Sequence, residues 1–202
     1  MENTTIGFVG AGNMANSLIR GLLVKGCNPS SILVGDVDRA KRQILGTACG
    51  VRRGDNQSIA DEADIIVLAV KPQVMETVCS QISLSISAPL VVSIAAGITI
   101  EQMLNWFGRA TAVVRCMPNT PARIGKGASG LYANKHVTDV QKQLAQSLME
   151  AVGIIVWVDD ENDIDTVTAV SGSGPAYFFL FMEAMQDAAK ELGLPEDLAK
   201  QL

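Results

Sequence analysis

One histidine, His136, and four cysteines, Cys27, Cys49, Cys79 and Cys116, are all the imidazole and thiol groups that 202 residues offer, and no CxxC pair occurs. A structural zinc site needs clustered thiolates or imidazoles, so no metal is expected. The cysteines read instead as buried, unpaired thiols of a reducing compartment. A Ser-His-Asp or Cys-His mechanism would have to run through His136, which sits in the polar turn "ANKHVTD" and reads as a surface residue. That argues against a hydrolase. Basic clusters are also missing. Lys and Arg total 16 against 21 Asp and Glu, a net charge of −5, which makes nucleic acid a poor partner. The longest apolar runs, such as "IIVLAV" and "YFFLFM", are far shorter than a membrane span. The start, "MENTTIGFVG", has no positive region ahead of an apolar stretch and so no visible signal peptide. A soluble, cytoplasmic protein is expected.

The composition that remains is that of a well-filled core. Apolar residues make up 48% and charged residues 18%, too apolar a balance for disorder. Short continuous apolar runs read as strands at Thr5–Val9, Ile32–Val34, Ile65–Ala69, Leu90–Ile94, Thr111–Arg115 and Ile154–Val158. Such runs suit a parallel sheet covered on both faces. Helical patterns lie between them. In the first, Ala15, Leu18, Ile19, Leu22 and Leu23 recur on one face and Gly26 closes the segment. The alternation predicts an α/β fold with a doubly wound Rossmann-type sheet. Beyond Val158 comes an acidic stretch, "DDENDID", then "DTVTAV" as a helical turn or two. From Phe178 the residues Phe178, Phe181, Met182, Met185, Ala188, Ala189 and Leu192 form one stripe, with Phe179 and Leu180 apolar outside it. A helix of that kind needs partners on more than one side. A boundary is expected near residue 160, between a dinucleotide-binding domain over 1–160 and the first helices of an all-α domain over 161–202.

Gly10, Gly12 and Ala15 form a G-x-G-x-x-A motif directly after a strand and at the opening of a helix. Gly10 permits a tight turn, Gly12 lets backbone approach a pyrophosphate, and Ala15 allows close helix–strand packing. The helix start then presents free N–H groups to phosphate. A purely structural turn is the competing reading. Asp36 closes the second strand in "LVGDVDRAK", where its carboxylate can accept from a ribose hydroxyl and repel a 2′-phosphate. Arg39 could instead attract that phosphate, and Asp36 and Asp38 could merely cap the next helix. Pro72 ends the strand before "AVKPQ", with Lys71 beside it as a crevice charge or a solvated one. Ala95, Ala96 and Gly97 in "SIAAGIT" leave room for a ligand near the backbone, and "RCMPNTPARIGKG" follows the next strand. These loops after successive strands suggest one continuous groove.

Together, "GFVGAGNMA", "AVKPQ", "SIAAG", "RCMPNTPA" and above all "SGSGPAY" resemble the pyrroline-5-carboxylate reductase family, from residue 5 to the end and in the family's order and spacing. The resemblance implies an oxidoreductase that moves hydride from NADPH or NADH to the C=N bond of 1-pyrroline-5-carboxylate, giving L-proline in the last step of proline biosynthesis. It implies cofactor contacts at Val9, Gly10, Ala11, Gly12, Asn13, Met14, Asp36, Asn56, Ala69, Val70, Lys71, Pro72, Ala95, Ala96 and Gly97. Asn56 could otherwise be a turn or cap residue. Substrate-side contacts are implied at Asn119, Ser173, Gly174 and Pro175. "SGSGPAY" does not follow a strand, so it reads as the joint into a helical domain that forms a homodimer and completes the site from both subunits. The family continues past the stop at "LPEDLAKQL", so its substrate-carboxylate loop is expected beyond residue 202. Asp36 departs from the small hydroxyl residue of many members. No catalytic acid or base is assigned, since water can protonate a ring imine. A β-hydroxyacid dehydrogenase would need a lysine near the start of the last long helix, whereas Lys190 lies about four turns into it. An NAD(P)-binding redox sensor or scaffold is the non-enzyme alternative.

Overall fold

The computed structural model describes residues 4–84 and 89–202, so part of the N-terminal segment read above for a leader lies outside it. Eight strands form one sheet: β1 (Ile6–Val9), β2 (Ile32–Gly35), β3 (Arg52–Arg53), β4 (Ile65–Leu68), β5 (Leu90–Ser93), β6 (Val113–Met117), β7 (Gly127–Ala133) and β8 (Gly153–Trp157). Their order is β3-β2-β1-β4-β5-β6-β7-β8. From β3 to β6 every pairing is parallel. β7 then runs antiparallel to β6, and β8 runs parallel to β7. The sheet is therefore mostly parallel, with a reversed pair at one edge.

The fully buried runs of β1, β2, β4 and β5 each have both faces covered, which is why they read as unbroken apolar stretches rather than alternating ones. One core lies under α1 (Asn13–Val24), α2 (Arg39–Cys49) and α6 (Asp139–Met149), with Leu18, Leu22, Leu45, Leu148 and Met149 in it. The other lies under α3 (Asn56–Glu62), α4 (Met75–Gln81) and α5 (Ile100–Phe107), with Ile59, Met75, Cys79 and Met103. Each such side chain contributes about 1.5–3 kcal/mol of burial. Helix starts follow their capping residues: Asp38 for α2, Asp55 for α3, and capping boxes from Thr99 with Gln102 and Thr138 with Gln141 for α5 and α6. Gly26, at φ +87°, closes α1 as its position implies.

Two strands were not foreseen in the sequence. β3 is two exposed arginines paired with β2 and tied by their side chains to Glu62 and Gln43, and β7, "GASGLYA", is too rich in small residues to show a strand pattern. Small residues are needed in β7. A Cβ on Gly130 would meet the Val167 side chain at 2.7 Å, and one on Gly127 would meet the Val152 carbonyl at 2.9 Å. The strand expected at 111–115 sits two residues later, at Val113–Met117.

After β8 the chain is helical almost without a break. α7 (Asp163–Val167) runs through a wide π turn at Thr168–Gly172 into α8 (Gly174–Glu191), and α9 (Glu196–Gln201) follows. "SGSGPAY" is thus the wide turn and first turn of a helix rather than a loop, with the Ser173 N–H donating to the Thr168 carbonyl at 2.8 Å. Pro175 sits in the first turn of α8, where its missing N–H costs nothing. No residue of α8 is buried. Phe178 is 72% and Phe181 64% exposed.

Candidate active site

Strand order reverses between β1 and β4, so their carboxyl ends open a crevice at the switch point of the sheet. Of the loops expected to form a groove, those after β4 and β5 lie beside the glycine turn. Gly10, at φ +107°, turns the chain so tightly that a Cβ on it would lie 2.6 Å from the Ala69 carbonyl oxygen. The Gly10 N–H donates to the Gly35 carbonyl at 2.7 Å and the Ala69 N–H to that of Val9 at 2.8 Å. The Ile94 N–H donates to the Leu68 carbonyl at 3.2 Å, which brings Ala95, Ala96 and Gly97 alongside. Val9 and Gly10 are buried, and Met14, Ala69, Val70 and Pro72 half-buried. Gly12, Asn13, Lys71, Ala96 and Gly97 are exposed on the rim.

Gly12 behaves differently from Gly10. Its backbone is extended at φ −77°, ψ −175°, and a Cβ on it would meet no atom within 4 Å. No side chain caps α1, so the first N–H groups of that helix are left to whatever docks on the turn. The glycine turn therefore fits a pyrophosphate at its open face. A pocket of about 140 Å³ beside it, between α1 and α2, is lined by Gly12, Asn13, Arg20, Lys41, Ile44 and Ala48 among others. That is below the roughly 300 Å³ at which ligand pockets begin.

The two acids after β2 divide their work. Asp38 caps α2, accepting from the Ala40 N–H at 2.9 Å and the Lys41 N–H at 3.2 Å. Asp36 does not cap it. One of its oxygens accepts from the Ala11 N–H of the glycine turn and the other from the Asp38 N–H, each at 2.8 Å. Asn56 is likewise not a cap: Asp55 takes that role for α3, its oxygen accepting from the Ser58 N–H and hydroxyl, which holds the Asp55 carboxyl below its usual range. Asn56 Oδ1 instead lies 3.2 Å from where a Cβ on Gly35 would be, next to Asp36.

Asn119 stands at the carboxyl end of β6 with its amide engaged twice. Oδ1 accepts from the Ala128 N–H at 2.9 Å, and Nδ2 donates to the Ser171 carbonyl at 3.0 Å. It thereby draws "MPNTP" onto the wide turn, two residues before Ser173. A Cβ on Gly172 would meet the Met117 side chain at 2.8 Å, so the same two segments touch there as well. Ser173 is exposed at the start of α8, with Gly174 and Pro175 half-buried behind it.

A group that sequence reasoning missed lies next to these. Arg115, on β6, is buried and forms ion pairs with Glu161 at 3.0 Å and Asp165 at 3.3 Å. Glu161 Oε1 also accepts from the Ile100 N–H at 2.8 Å. One carboxylate thus joins β6, the start of α5 and the turn into α7. The signal was an arginine inside the apolar run "AVVRCM".

Other groups stand apart. His136 is exposed. Cys49, Cys79 and Cys116 are buried and unpaired and Cys27 is half-buried; burial raises the Cys116 thiol and pushes Cys79 up to about 12. Lys190 is ion-paired with Asp187 at 2.6 Å, and its pKa is raised by that partner, the opposite of what a proton donor to substrate needs. At 1.5 Å per residue it lies about 24 Å along α8 from Gly174. Among the described residues no group of three or more His, Cys, Asp or Glu could hold a metal ion, and no helix is long and apolar enough to cross a membrane.

Residues 5–97 match the family model described as NADP oxidoreductase, coenzyme F420-dependent, and residues 161–202 match that for pyrroline-5-carboxylate reductase dimerisation. The chain is 49% identical over 205 residues to the pyrroline-5-carboxylate reductase of Pseudomonas aeruginosa, an alignment covering 100% of this chain and 75% of the relative. Among solved structures, a pyrroline-5-carboxylate reductase from Coxiella burnetii superposes with TM-score 0.92 at 43% identity, over 99% of this chain and 75% of that one. The Plasmodium falciparum pyrroline carboxylate reductase with NADP bound superposes with TM-score 0.89 at 32% identity, over 100% and 74%. With the switch-point crevice, the open glycine turn and the joint into α8 all in place, the chain belongs to the pyrroline-5-carboxylate reductase family.

Proposed function

We propose that the chain is the NAD(P)H-dependent reductase of 1-pyrroline-5-carboxylate, forming L-proline in the cytoplasm. The observation that carries this is the 49% identity to the Pseudomonas aeruginosa enzyme across the whole chain, which takes in both the glycine turn and "SGSGPAY". When bound, the reduced nicotinamide supplies a hydride to the C=N carbon while the ring nitrogen takes its proton from water. The residues of the chain bind and orient. The open face of Gly12 and the α1 start receive the pyrophosphate, and Asp36 and Asn56 the adenosine ribose. Ala69, Val70, Lys71 and Pro72, with Ala95, Ala96 and Gly97, line the way toward the nicotinamide end. Asn119, Ser173, Gly174 and Pro175 set the substrate side, Asn119 by holding the wide turn in place rather than by reaching out. Orientation of this kind can lower a barrier by about 7–11 kcal/mol, enough to make a dedicated proton donor unnecessary.

The division into a cofactor domain ending near 160 and a helical domain beginning at 161 is part of the same reading. It is supported by the change at that point from sheet to continuous helix. α8, apolar and without a buried residue, is the surface through which two copies associate. The direct test is spectrophotometric: loss of reduced nucleotide on adding 1-pyrroline-5-carboxylate, with proline measured in the same mixture. Cofactor binding without turnover by the intact gene product would instead favour a nucleotide-sensing role.

A further inference from the structure

We infer that Glu161 is a positioning residue of the reaction, holding the loop after β5 at the distance from the α7–α8 joint that hydride transfer requires; the inference rests on the function proposed above. Ala95, Ala96 and Gly97 were assigned there to the nicotinamide end, and their loop is thinly held. The Ala95 N–H donates to the Ser93 hydroxyl, two residues back, and Thr99 exchanges hydrogen bonds with Gln102, three residues on. Among the described residues, a single hydrogen bond ties the stretch from Ala95 to Ile100 to a distant part of the chain. The Ile100 N–H donates to Glu161 Oε1 at 2.8 Å, across 61 residues of sequence.

That acceptor is itself fixed from behind. The same Oε1 accepts from Arg115 Nη1 at 3.0 Å, and Arg115 Nη2 reaches Asp165 of α7 at 3.3 Å. The Arg115 side chain is 4% exposed, and its Nε is buried with no partner. Well-packed apolar side chains could fill this space at similar stability without burying charge or leaving a donor unpaired. What the charges add is direction. One oxygen lies between β6 and the first turn of α5, where an N–H has no partner within its own helix. Asp165 lies on the helical stretch that passes through the wide turn to Ser173. A shift of Glu161 therefore shifts the Ala95–Gly97 loop relative to the joint, and a misplacement of about 1 Å far from the reacting atoms can cost about a hundredfold in rate.

Glu161→Ala would also strand the Arg115 guanidinium, so the sharper comparison lies at the other end of the contact. Ile100→Ala keeps the N–H and Ile100→Pro removes it, while both give up the buried isoleucine side chain. Proline suits the backbone there, because Ile100 opens α5 and Thr99 before it is extended at φ −81°, ψ 159°. In the full-length protein, Ile100→Ala should keep kcat for 1-pyrroline-5-carboxylate within about threefold of the parent. Ile100→Pro should lower it about tenfold or more beyond that, with nucleotide affinity unchanged by calorimetry. With nucleotide deuterated at the transferred position, its isotope effect on kcat should be no smaller than the parent's. Amide hydrogen exchange should quicken over residues 95–99 in Ile100→Pro and stay slow in β1. Two variants alike in kcat overturn the inference, and quickened exchange in that case makes Glu161 a stabilising tie only. A loss of nucleotide affinity that matches the loss of kcat, or a diminished isotope effect, overturns it too, since binding or another step is then what changed. If the parent itself does not reduce 1-pyrroline-5-carboxylate, the proposed function has failed and this inference falls with it.

Discussion

Replacing Gly12 by valine should separate folding from cofactor binding, because the structure shows space at that residue and none at its neighbour. The Gly12 backbone is extended at φ −77°, ψ −175°, a conformation any residue adopts, and a Cβ there meets nothing within 4 Å. The folding penalty is then that of exchanging glycine for a poor N-cap residue, about 1 kcal/mol at most. For a chain of this size that lowers the melting temperature by about 2–4 °C. The isopropyl group, however, occupies the face over which the α1 N–H groups meet the pyrophosphate. Charge-assisted hydrogen bonds are worth about 1.5–3 kcal/mol each, so displacing two of them weakens binding by about a hundredfold or more. Gly10→Ala is the contrasting control. At φ +107° with the Ala69 carbonyl 2.6 Å from the new Cβ, it should damage the fold itself. Calorimetry with NADH and NADPH, paired with thermal unfolding, reads both quantities. A Gly12→Val protein that binds either nucleotide as tightly as the parent would refute the placement of the pyrophosphate.

Glu161→Ala should cost about 3–5 kcal/mol in urea unfolding, because it leaves the buried Arg115 guanidinium with only the exposed Asp165 as partner and strips the Ile100 N–H of its acceptor; a loss below about 1 kcal/mol, typical of a surface pair, would show that the clamp is solvated. Alkylation of the native protein should reach Cys27 first and spare Cys79 and Cys116 until the chain unfolds. The Cys79 thiol stays protonated up to about 12 in the fold against 9.0 in the unfolded chain, so stability should be unaffected below pH 9 and decline between pH 9 and 12 as the unfolded state alone ionises. A rise in stability across that window would contradict the burial argument. Phe178→Glu with Phe181→Glu should convert a dimer to a monomer in sedimentation velocity without changing the melting of the sheet domain, since neither ring is buried within the chain; a monomeric parent protein would show that α8 does not join two copies.

Much of this was legible in the sequence because parallel strands covered on both faces leave an unmistakable trace. β1, β2, β4 and β5 are fully buried quartets, and at the junction after β1 the fold requires Gly10 and Ala15 to be small, Gly10 against the Ala69 carbonyl and Ala15 fully buried, while Gly12 stands open. What escaped was structure imposed by neighbours. β3 exists because β2 offers it an edge, and β7 because Val167 and Val152 press on Gly130 and Gly127. Neither leaves a periodic pattern. Whether Asp36 and Asp38 merely cap the next helix was open for a similar reason: both lie within reach of the same helix start. Only the fold shows that Asp36 is turned back to Ala11, 25 residues earlier in the chain.

The joint ties the sheet to the segment that leads into α8. Three independent ties bind the strand ends of the cofactor edge to the segment leading into α8. Glu161 accepts from both Arg115 and Ile100, the latter at the start of the helix that follows Ala95, Ala96 and Gly97. Asn119 bridges the Ala128 N–H and the Ser171 carbonyl, and the missing Cβ of Gly172 admits Met117. Because 163–172 is helical and passes directly into α8, displacement of that helix by even one turn would have to break a buried ion pair, two hydrogen bonds and a close-packed contact together. The direction in which α8 leaves the sheet is thus set by Arg115, Met117 and Asn119, at the end of β6 and just beyond it. A second copy docking on α8, as proposed above, would be delivered to a fixed position relative to Gly97 and Asn119. A flexible linker at "SGSGP" would leave that position unset.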